Sequence, residues 1–475
     1  MTKSFDVVVI GGGTAGLVTA SGCARLGRRV ALVDRAPLGG DCLWTGCVPT
    51  KALIATARLI HCAANAGRFG LEPHRFEISP PRIMESMRAA RAAVGVHDDP
   101  SRFRALGVEV IEAPARLLSA TEVQAGDEGL TAKDIVVATG SRTAVPPVDG
   151  LAETGFLDHA SFLLQNEFPA SLVILGGGAI GIEFAQMFRR FGCRVTVVEM
   201  MDEILAHEDA AVARFVRGLL AGEGVEIRTG WSARKARREN GRKVLTIEAK
   251  DGRTEELTAD EIFVASGRRG NTEGLGLEAL GMKMNGSYIA VDDYLQTSIP
   301  RIWACGDVHG GLQFTQVAAY EAVKLVRNML FPGRRKVDYS NVPWALYTDP
   351  EAGHIGLTEA EAMERLGSGV RTYVAELKDV DRAVVERSGP GFVKIVADRR
   401  GRILGAHVVA NDASTLIEPL VLARASGVRV GGLAQLVSPY PSLADAIQKA
   451  ASQHYEALGR SWIGGVARKI ASWSQ

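Results

Sequence analysis

The pattern of apolar and polar positions begins with a short apolar run at residues 5–10, which predicts a buried parallel strand. A glycine-rich turn follows and opens a helix that ends before Gly27. A second apolar run, residues 29–33, ends at Asp34. This order of strand, glycine turn, helix and strand is typical of a unit that binds a dinucleotide.

A similar series begins at Ser171–Leu175, and its second strand, residues 194–198, ends at Glu199. In both series, glycines allow a tight turn, close approach of a pyrophosphate and packing of the helix, while the acidic residue can accept a hydrogen bond from a ribose hydroxyl. The glycines are Gly11, Gly13 and Gly16 in the first series, and Gly176, Gly178 and Gly181 in the second. Two such fingerprints imply two dinucleotides.

The remaining pattern in the first third of the chain predicts helices and strands in an α/β arrangement. The predicted helices are 49–66 and 82–94, and the predicted strands are 108–111, 121–124 and 134–137. With 475 residues, 47% of them hydrophobic, the chain suits three or four domains.

Composition excludes several classes of function. The net charge of +1 gives no field that would attract a polyanion, so nucleic acid is not an expected partner. The N-terminal residues lack the pattern of a signal peptide, and no apolar run reaches the roughly 18 residues of a membrane span. The six cysteines show no framework spacing beyond one pair, so we expect a reducing cytoplasm.

That pair lies in the segment Gly-Gly-Asp-Cys-Leu-Trp-Thr-Gly-Cys-Val-Pro-Thr-Lys, which contains Cys42 and Cys47. A disulfide needs Cα atoms within roughly 4.4 to 6.8 Å, whereas five residues of straight helix rise about 7.5 Å. We therefore expect Cys42 in a loop that enters a helix, in a turn that Gly39, Gly40 and Gly46 permit. Helix amides there would lower the pKa of a nearby thiol. The alternative is two unpaired core cysteines.

The same segment resembles the redox signature of the class I pyridine nucleotide-disulfide oxidoreductases, a family of flavoproteins that includes dihydrolipoamide dehydrogenase and mercuric reductase. The resemblance implies a redox-active Cys42–Cys47 disulfide, FAD at the first fingerprint and a nicotinamide nucleotide at the second. It also implies that Lys51 pairs with Glu183 near the flavin. This sequence departs from the family at Asp41, where Thr is usual, and at Trp44, where Asn is usual.

Other segments extend the resemblance over nearly all of the chain up to about Leu458. They imply cofactor contacts at Gly40, at Thr139 and Gly140 in the flavin-domain boundary, at Gly267 in the exit from the nicotinamide domain, and at Asp307, which would hold the ribityl chain. A helix at 315–322 would cap the flavin. In the C-terminal interface domain, strands are expected at 391–397 and 403–409, and a helix at 413–425.

The predicted fold is therefore α/β, with two Rossmann-like dinucleotide-binding domains and a C-terminal α/β dimerisation domain. The expected division is 1–148 for FAD binding with the redox cysteines, 149–270 for NAD(P) binding, 271–340 for the return to the FAD domain, 341–459 for dimerisation and 460–475 for an amphipathic tail. Glu199 predicts NADH rather than NADPH, because a carboxylate repels a 2′-phosphate and no Arg stands in the next four positions.

One departure bears on the acceptor. Thiol-processing members carry a histidine acid-base before a proline near the C-terminus, and here Tyr440 stands in its place, with Asp445 where a glutamate orients that histidine. With an unperturbed pKa near 10, Tyr cannot exchange protons with a dithiol at neutral pH as His can. Mercuric reductases similarly carry Tyr, but they also have a C-terminal cysteine pair, and this chain has no cysteine after Cys305.

These features predict a homodimeric FAD-dependent oxidoreductase that passes electrons between a nicotinamide cofactor, flavin and the cysteine pair. The acceptor would be a small or protein-bound disulfide, or a metal ion. The alternatives are a diaphorase-type enzyme that reduces quinones or oxygen, and a flavoprotein that serves as a redox sensor without catalysis. No metal-binding residues are predicted, since His61, Cys62 and His74 lack ligand spacing.

Overall fold

The computed structural model describes the backbone of residues 2–459 and the side chains of residues 2–456. The predicted amphipathic tail at 460–475 lies outside the described residues. Longer helices alternate with strands through most of the chain, at Thr14–Arg25, Cys47–Ala64, Pro80–Gly95, Ala179–Arg190, Ala210–Gly222, Thr315–Leu330, Glu359–Leu366, Glu418–Ala425 and Asp445–Gly459. Short helices lie at Gly40–Trp44, Pro100–Ala105, Leu151–Thr154, His159–Phe162, Asp381–Glu386, Ala413–Leu416 and Val430–Leu433. No helix among the described residues is long and apolar enough to cross a membrane.

The first sheet has seven strands, and the first apolar run of the sequence lies at its centre. Its path is Val108–Glu112, Val30–Asp34, Lys3–Ile10, Glu128–Val137, Glu122–Ala125 and Ala115–Leu117, with Ile302–Ala304 also paired to Glu128–Val137. Val7, Val8 and Val9 are all buried, as expected for a parallel strand covered on both faces. The strand predicted at 134–137 begins six residues earlier, at Glu128.

The second fingerprint lies in a separate parallel sheet of four strands, in the order Glu226–Thr229, Arg194–Glu199, Ser171–Leu175 and Glu261–Val264. Between its strands Glu226–Thr229 and Glu261–Val264, the chain forms an antiparallel sheet of three strands, at Trp231–Glu239, Arg242–Ala249 and Thr254–Ala259. Small strand pairs join Ser141–Thr143 to Arg268–Gly270, and Met284–Asn285 to Tyr288–Ile289. The two fingerprints therefore begin two distinct sheets.

After the second sheet, the chain returns to the first one. Ile302 pairs in parallel with Ile135, and helix Thr315–Leu330 shares a buried core with helix Thr14–Arg25 through Ala318 and Ala20. This return brings the segment around Asp307 and Thr315 back to the first glycine turn, which is the arrangement expected from the sequence.

The C-terminal sheet is antiparallel, in the order Pro343–Leu346, Glu351–Gly356, Ile403–Ala410, Phe392–Asp398 and Val370–Glu376. The single helix predicted at 413–425 was wrong, because the structure has two helices, Ala413–Leu416 and Glu418–Ala425. Pro419 explains the break, since proline has no amide hydrogen with which to continue the first helix.

Candidate functional site

The two glycine turns have the same geometry. Gly11 has a φ of +110° and Gly176 a φ of +113°, a region that disfavours side chains. A Cβ on Gly16 would lie 1.8 Å from the carbonyl oxygen of Gly11, and one on Gly181 would lie 2.0 Å from that of Gly176. Each helix therefore approaches its strand as closely as only glycine allows, which fits a pyrophosphate at the helix N-terminus.

An acidic side chain faces each turn from the end of the neighbouring strand. Asp34 accepts hydrogen bonds from the amides of Gly12 and Ala36. Glu199 Oε2 accepts from the Gly177 amide at 2.6 Å, and Oε1 accepts from that of Met201 at 2.7 Å. Both carboxylates stand where a dinucleotide ribose is bound in this kind of unit.

A cavity of about 1460 Å³ opens over the second turn. It is lined by the turn glycines and by Glu199, Gly267, Phe314 and Trp344, among others. Its volume and its position at the carboxyl ends of parallel strands suit a dinucleotide.

The redox segment packs directly on the first turn. A Cβ on Gly40 would lie 2.6 Å from the Gly13 Cα, so the segment and the turn touch through two glycines.

Thr139 Oγ1 donates to the carbonyl of Asn271 at 2.7 Å, and the Asn271 amide donates to the Gly140 carbonyl at 3.0 Å. The segment that leaves the first sheet and the segment that returns from the second sheet therefore lie side by side.

The prediction that Cys42 sits in a loop was wrong. Cys42 lies in a short helix, Gly40–Trp44, and Cys47 is the first residue of helix Cys47–Ala64. The amide of Gly46 donates to the carbonyl of Asp41 at 2.5 Å, which folds the chain back between the two helices. This break brings Cys42 and Cys47 close enough for each to shift the pKa of the other, a proximity that one continuous helix would prevent.

The two thiols differ in acidity. The hydrogen bond from Cys42 lowers the pKa of Cys47 to about 6, against the effect of burial, and Thr315 and the charge of Lys51 add to the shift. Thr315 Oγ1 lies 3.3 Å from Cys47 Sγ. The same hydrogen bond, together with burial, raises the pKa of Cys42. Cys47 is therefore the thiolate of the pair at neutral pH, and Cys42 retains its proton.

We expect the alkylation rate of Cys47 in the reduced protein to rise as pH increases through about 6, because only the thiolate reacts. Lys51→Met should move this midpoint upward, since it removes a positive charge that favours the thiolate. Lys324→Met, which changes a lysine that lies over Tyr320 on another helix, serves as the control. Iodoacetamide labelling with mass spectrometry measures the midpoint, and a value unchanged in Lys51→Met would contradict this assignment.

Lys51 and Glu183 form an ion pair between two helices. Lys51 Nζ lies 2.8 Å from Glu183 Oε2, and Glu183 Oε1 accepts from the amide of Tyr347 at 2.8 Å. Although burial lowers the pKa of Lys51, the Glu183 carboxylate outweighs it, so the net shift is upward. The pair therefore holds a permanent cation beside the cysteines.

Asp41, one of the departures from the family, is at the centre of a polar network. Arg268 Nη2 lies 2.6 Å from Asp41 Oδ2, and His159 Nε2 lies 3.2 Å from Asp41 Oδ1. Burial alone would raise the pKa of Asp41, but His159 and Arg268 together hold it well below its usual range. The residue before the redox pair is therefore a carboxylate fixed by two distant parts of the chain.

Arg268 also joins this network to Asp307. Its Nε donates to Ser141 Oγ at 2.7 Å, and that hydroxyl donates to Asp307 Oδ2 at 2.7 Å. Burial raises the pKa of Asp307. Sequence reasoning did not assign roles to Arg268 or His159. Arg268 lies within a segment already matched to the family, whereas nothing local marks His159.

Tyr440 lies apart from these residues on the surface of the chain. Its side chain is 78% exposed, and its hydroxyl donates to Asp381 Oδ2 at 2.9 Å. This hydrogen bond raises the pKa of Tyr440. Asp445 is the first residue of helix Asp445–Gly459. Asp381 was not anticipated, because it lies 59 residues from Tyr440 in a different element.

Comparison with protein families gives two matches that together span most of the chain. The family model described as pyridine nucleotide-disulphide oxidoreductase matches residues 5–322. The family model of the dimerisation domain of these proteins matches residues 342–451. Both the predicted family and the predicted fold class are confirmed. FAD and NAD(P) are the cofactors that this family implies.

Individual relatives cover nearly the whole chain. Dihydrolipoyl dehydrogenase of Bacillus subtilis (strain 168) is 34% identical over 471 residues, which cover 95% of this chain and 98% of that protein. Mercuric reductase of Streptomyces lividans is 32% identical over 455 residues, with coverages of 94% and 95%. A solved structure, the Cu(II) complex of the HOCl-induced flavoprotein disulfide reductase RclA from Escherichia coli, matches with a TM-score of 0.83 and 28% identity over 95% of this chain and all of that one.

Proposed function

This chain belongs to the pyridine nucleotide-disulphide oxidoreductase family, and we propose that it transfers electrons from NADH through Cys42 and Cys47 to a metal ion bound by their sulfurs. The observation that carries this choice of acceptor is Tyr440, which stands where thiol-processing members carry a histidine and whose hydroxyl donates to Asp381. The enzyme is FAD-dependent, and the proposal concerns the chemical class of its electron acceptor.

The proton balance of the two acceptors separates them. Reduction of a disulfide by NADH consumes a proton, because NADH, H⁺ and the disulfide give NAD⁺ and two thiols. When Hg(II) is reduced to the metal, or two Cu(II) to two Cu(I), the two electrons of the hydride go to the metal and its hydrogen is released as a proton. The acceptor therefore requires no proton. A tyrosine with a raised pKa is a poor acid-base near pH 7, which favours the metal ion.

The chain offers the groups that such a reaction needs. Glycines of the first turn and Asp34 would hold FAD, and those of the second turn and Glu199 would hold the nicotinamide nucleotide. When bound, the flavin accepts a hydride from the nicotinamide and supplies electrons to the cysteine pair. Lys51 supplies a fixed positive charge beside Cys47, and thiolate sulfur is a preferred ligand of soft metal ions.

NADH oxidation by the holoenzyme with a panel of acceptors tests the choice. We expect turnover with Hg(II) or Cu(II) to exceed turnover with oxidised lipoamide or glutathione disulfide. The metal-ion turnover should disappear in Cys42→Ser. Preferred reduction of a disulfide would overturn the proposal, and quinone reduction that persists in Cys42→Ser would indicate a diaphorase.

Glu199 should make NADH the better donor. A 2′-phosphate placed near a carboxylate that already accepts two amide hydrogen bonds is repelled. We expect kcat/KM to be higher with NADH than with NADPH. Glu199→Gln should lower the ratio of kcat/KM with NADH to kcat/KM with NADPH by roughly tenfold, which corresponds to about 1.4 kcal/mol. Glu203→Gln, which alters a carboxylate paired with Arg217, is the control. Equal or better use of NADPH by the unmodified enzyme would contradict this.

We further propose that Tyr440 reaches the Cys42 of a second copy of the chain, where its hydroxyl turns away from Asp381 and donates its one hydrogen bond to the sulfur, with Asp445 nearby. Tyr440→Phe should then lower metal-ion turnover by roughly tenfold and leave the reduction of flavin by NADH unchanged. Tyr440→His should raise oxidation of dihydrolipoamide, because it supplies an acid-base that titrates near pH 7. Steady-state and anaerobic rapid-mixing measurements separate the two steps. Full turnover in Tyr440→Phe would rule out this role.

A homodimer in the cytoplasm completes the proposal. The matched dimerisation domain supports pairing of two copies. A reducing compartment suits cysteines that must cycle between thiol and disulfide.

The proposed domain boundaries at residues 148, 270 and 340 are supported by the sheets, because the chain leaves the first sheet and later returns to it at Ile302.

A further inference from the structure

A glutamate and two histidines meet at a place that the proposed redox reaction does not use. One ligand atom each from Glu208, His354 and His407 lies within 4.8 Å of those of the other two. His354 and His407 are directly opposite each other on the strands Glu351–Gly356 and Ile403–Ala410. Glu208 belongs to a different part of the chain, just before helix Ala210–Gly222. We propose that these three residues bind a divalent cation of the Zn²⁺ type.

The histidines are oriented as metal-binding histidines are. His354 Nε2 is 2.9 Å from the carbonyl oxygen of Gly356, and His407 Nε2 is 3.3 Å from that of Leu357. If each Nε2 carries the hydrogen and donates it to its carbonyl, each Nδ1 retains a free lone pair. A second ring nitrogen that donates to a backbone carbonyl is the usual support of a metal-bound imidazole.

His407 Nδ1 gives independent support for a ligand. The His407 side chain is completely buried, and its Nδ1 has no hydrogen-bond partner among the described residues. Buried polar atoms are nearly always paired. A cation bound to this nitrogen would satisfy it.

The contact between His354 and Glu208 points to the same ligand. His354 Nδ1 lies 3.0 Å from Glu208 Oε2, so two acceptors face each other unless a proton or a metal ion stands between them. The other oxygen, Oε1, accepts from the indole nitrogen of Trp344, whose ring stacks on that of His354 with centroids 3.6 Å apart. Both side chains are therefore held in place by neighbours that would remain when a cation binds.

The surrounding charges also admit a cation. Lys394 is a nearby positive group, and its ammonium is already paired with Asp209 at 2.8 Å and Glu359 at 2.7 Å. The Glu208 carboxylate thus remains available. Two imidazole nitrogens and one carboxylate oxygen suit Zn²⁺ or Co²⁺, with a solvent molecule as the fourth ligand. Glu208 also lines the large cavity over the second turn, which provides a path of entry.

Co²⁺ added to the oxidised holoenzyme tests the site. With Cys42 and Cys47 joined as a disulfide, their thiolates are not available as ligands. We expect one Co²⁺ per chain, with d–d absorption at wavelengths longer than the flavin bands and no thiolate-to-cobalt charge-transfer band. Zn²⁺ should displace the cobalt and remove the absorption. Because no turnover is involved, this result is independent of whether the proposed redox reaction is correct.

Variants assign the ligands. Glu208→Gln keeps the shape of the side chain and an oxygen to accept from Trp344, and His354→Gln keeps a polar group, so both should fold and retain FAD. Each should weaken Co²⁺ binding at least about tenfold, whereas His74→Ala, a histidine in contact with Phe76 elsewhere, should not. Absence of Co²⁺ binding in the unmodified protein, a thiolate charge-transfer band, or unchanged binding in both Gln variants would each overturn the proposal.

Discussion

Cys47→Ser is expected to lower NADH-driven reduction of Hg(II) or Cu(II) by roughly a thousandfold or more, while NADH still bleaches the yellow absorbance of the flavin. The reason is that Cys47 is the thiolate of the pair, with a pKa lowered to about 6, and a serine hydroxyl neither ionises at neutral pH nor exchanges electrons. Cys42→Ser should have the same effect, because both sulfurs must change oxidation state together.

Cys62→Ser is the matched control, since Cys62 lies in the same helix, Cys47–Ala64, and no other cysteine pairs with it in the described residues. Its turnover should equal that of the unmodified enzyme. Rapid mixing with NADH measures flavin bleaching, and steady-state assays measure metal reduction. If Cys47→Ser retained normal metal-ion turnover, electrons would reach the acceptor without the pair.

Gly181→Ala should strongly impair use of NADH while the protein remains yellow. A methyl group on Gly181 would lie 2.0 Å from the carbonyl oxygen of Gly176, so helix Ala179–Arg190 would have to move away from its strand. That movement displaces the amides that would face the pyrophosphate of the nicotinamide nucleotide. We expect kcat/KM for NADH to fall by roughly a hundredfold or more, since positional shifts of about 1 Å cost that much.

The matching substitution in the first turn should affect the other cofactor. In Gly16→Ala the new methyl would lie 1.8 Å from the Gly11 oxygen, and the purified protein should contain little flavin. Gly218→Ala is the control, because a Cβ there meets nothing within 4 Å. Flavin content by absorbance and NADH kinetics distinguish the cases. Normal NADH kinetics in Gly181→Ala would show that the second turn does not bind the nicotinamide nucleotide.

The parts of the site that the sequence predicted are those set by local geometry. Gly16 and Gly181 are required by contacts with a residue five positions earlier, so their spacing alone carries the information. The apolar run at 5–10 likewise identifies a buried strand without knowledge of its neighbours, and the strand is found at Lys3–Ile10. Such features depend on few residues that are close in sequence.

The parts that could not be predicted depend on residues far apart in sequence. Asp41 is fixed by His159 and Arg268, which lie 118 and 227 residues away. Likewise, His354 and His407 become neighbours only through the register of two strands. No periodicity reports these contacts, because they follow from the order of strands in a sheet. Asp41 would otherwise have remained an unexplained departure from the family signature.

Differential alkylation after anaerobic reduction shows whether electrons from NADH reach Cys42 and Cys47, because it locates new thiols on particular residues. The oxidised holoenzyme is treated with NADH in slight excess over the flavin, alkylated and analysed by mass spectrometry. We expect two new thiols to appear, at Cys42 and Cys47, and one equivalent of Hg(II) added before alkylation should leave both unlabelled. If a metal ion is reduced at the expense of NADH while Cys42 and Cys47 never change oxidation state, electrons do not pass through the cysteine pair and the proposed function is wrong.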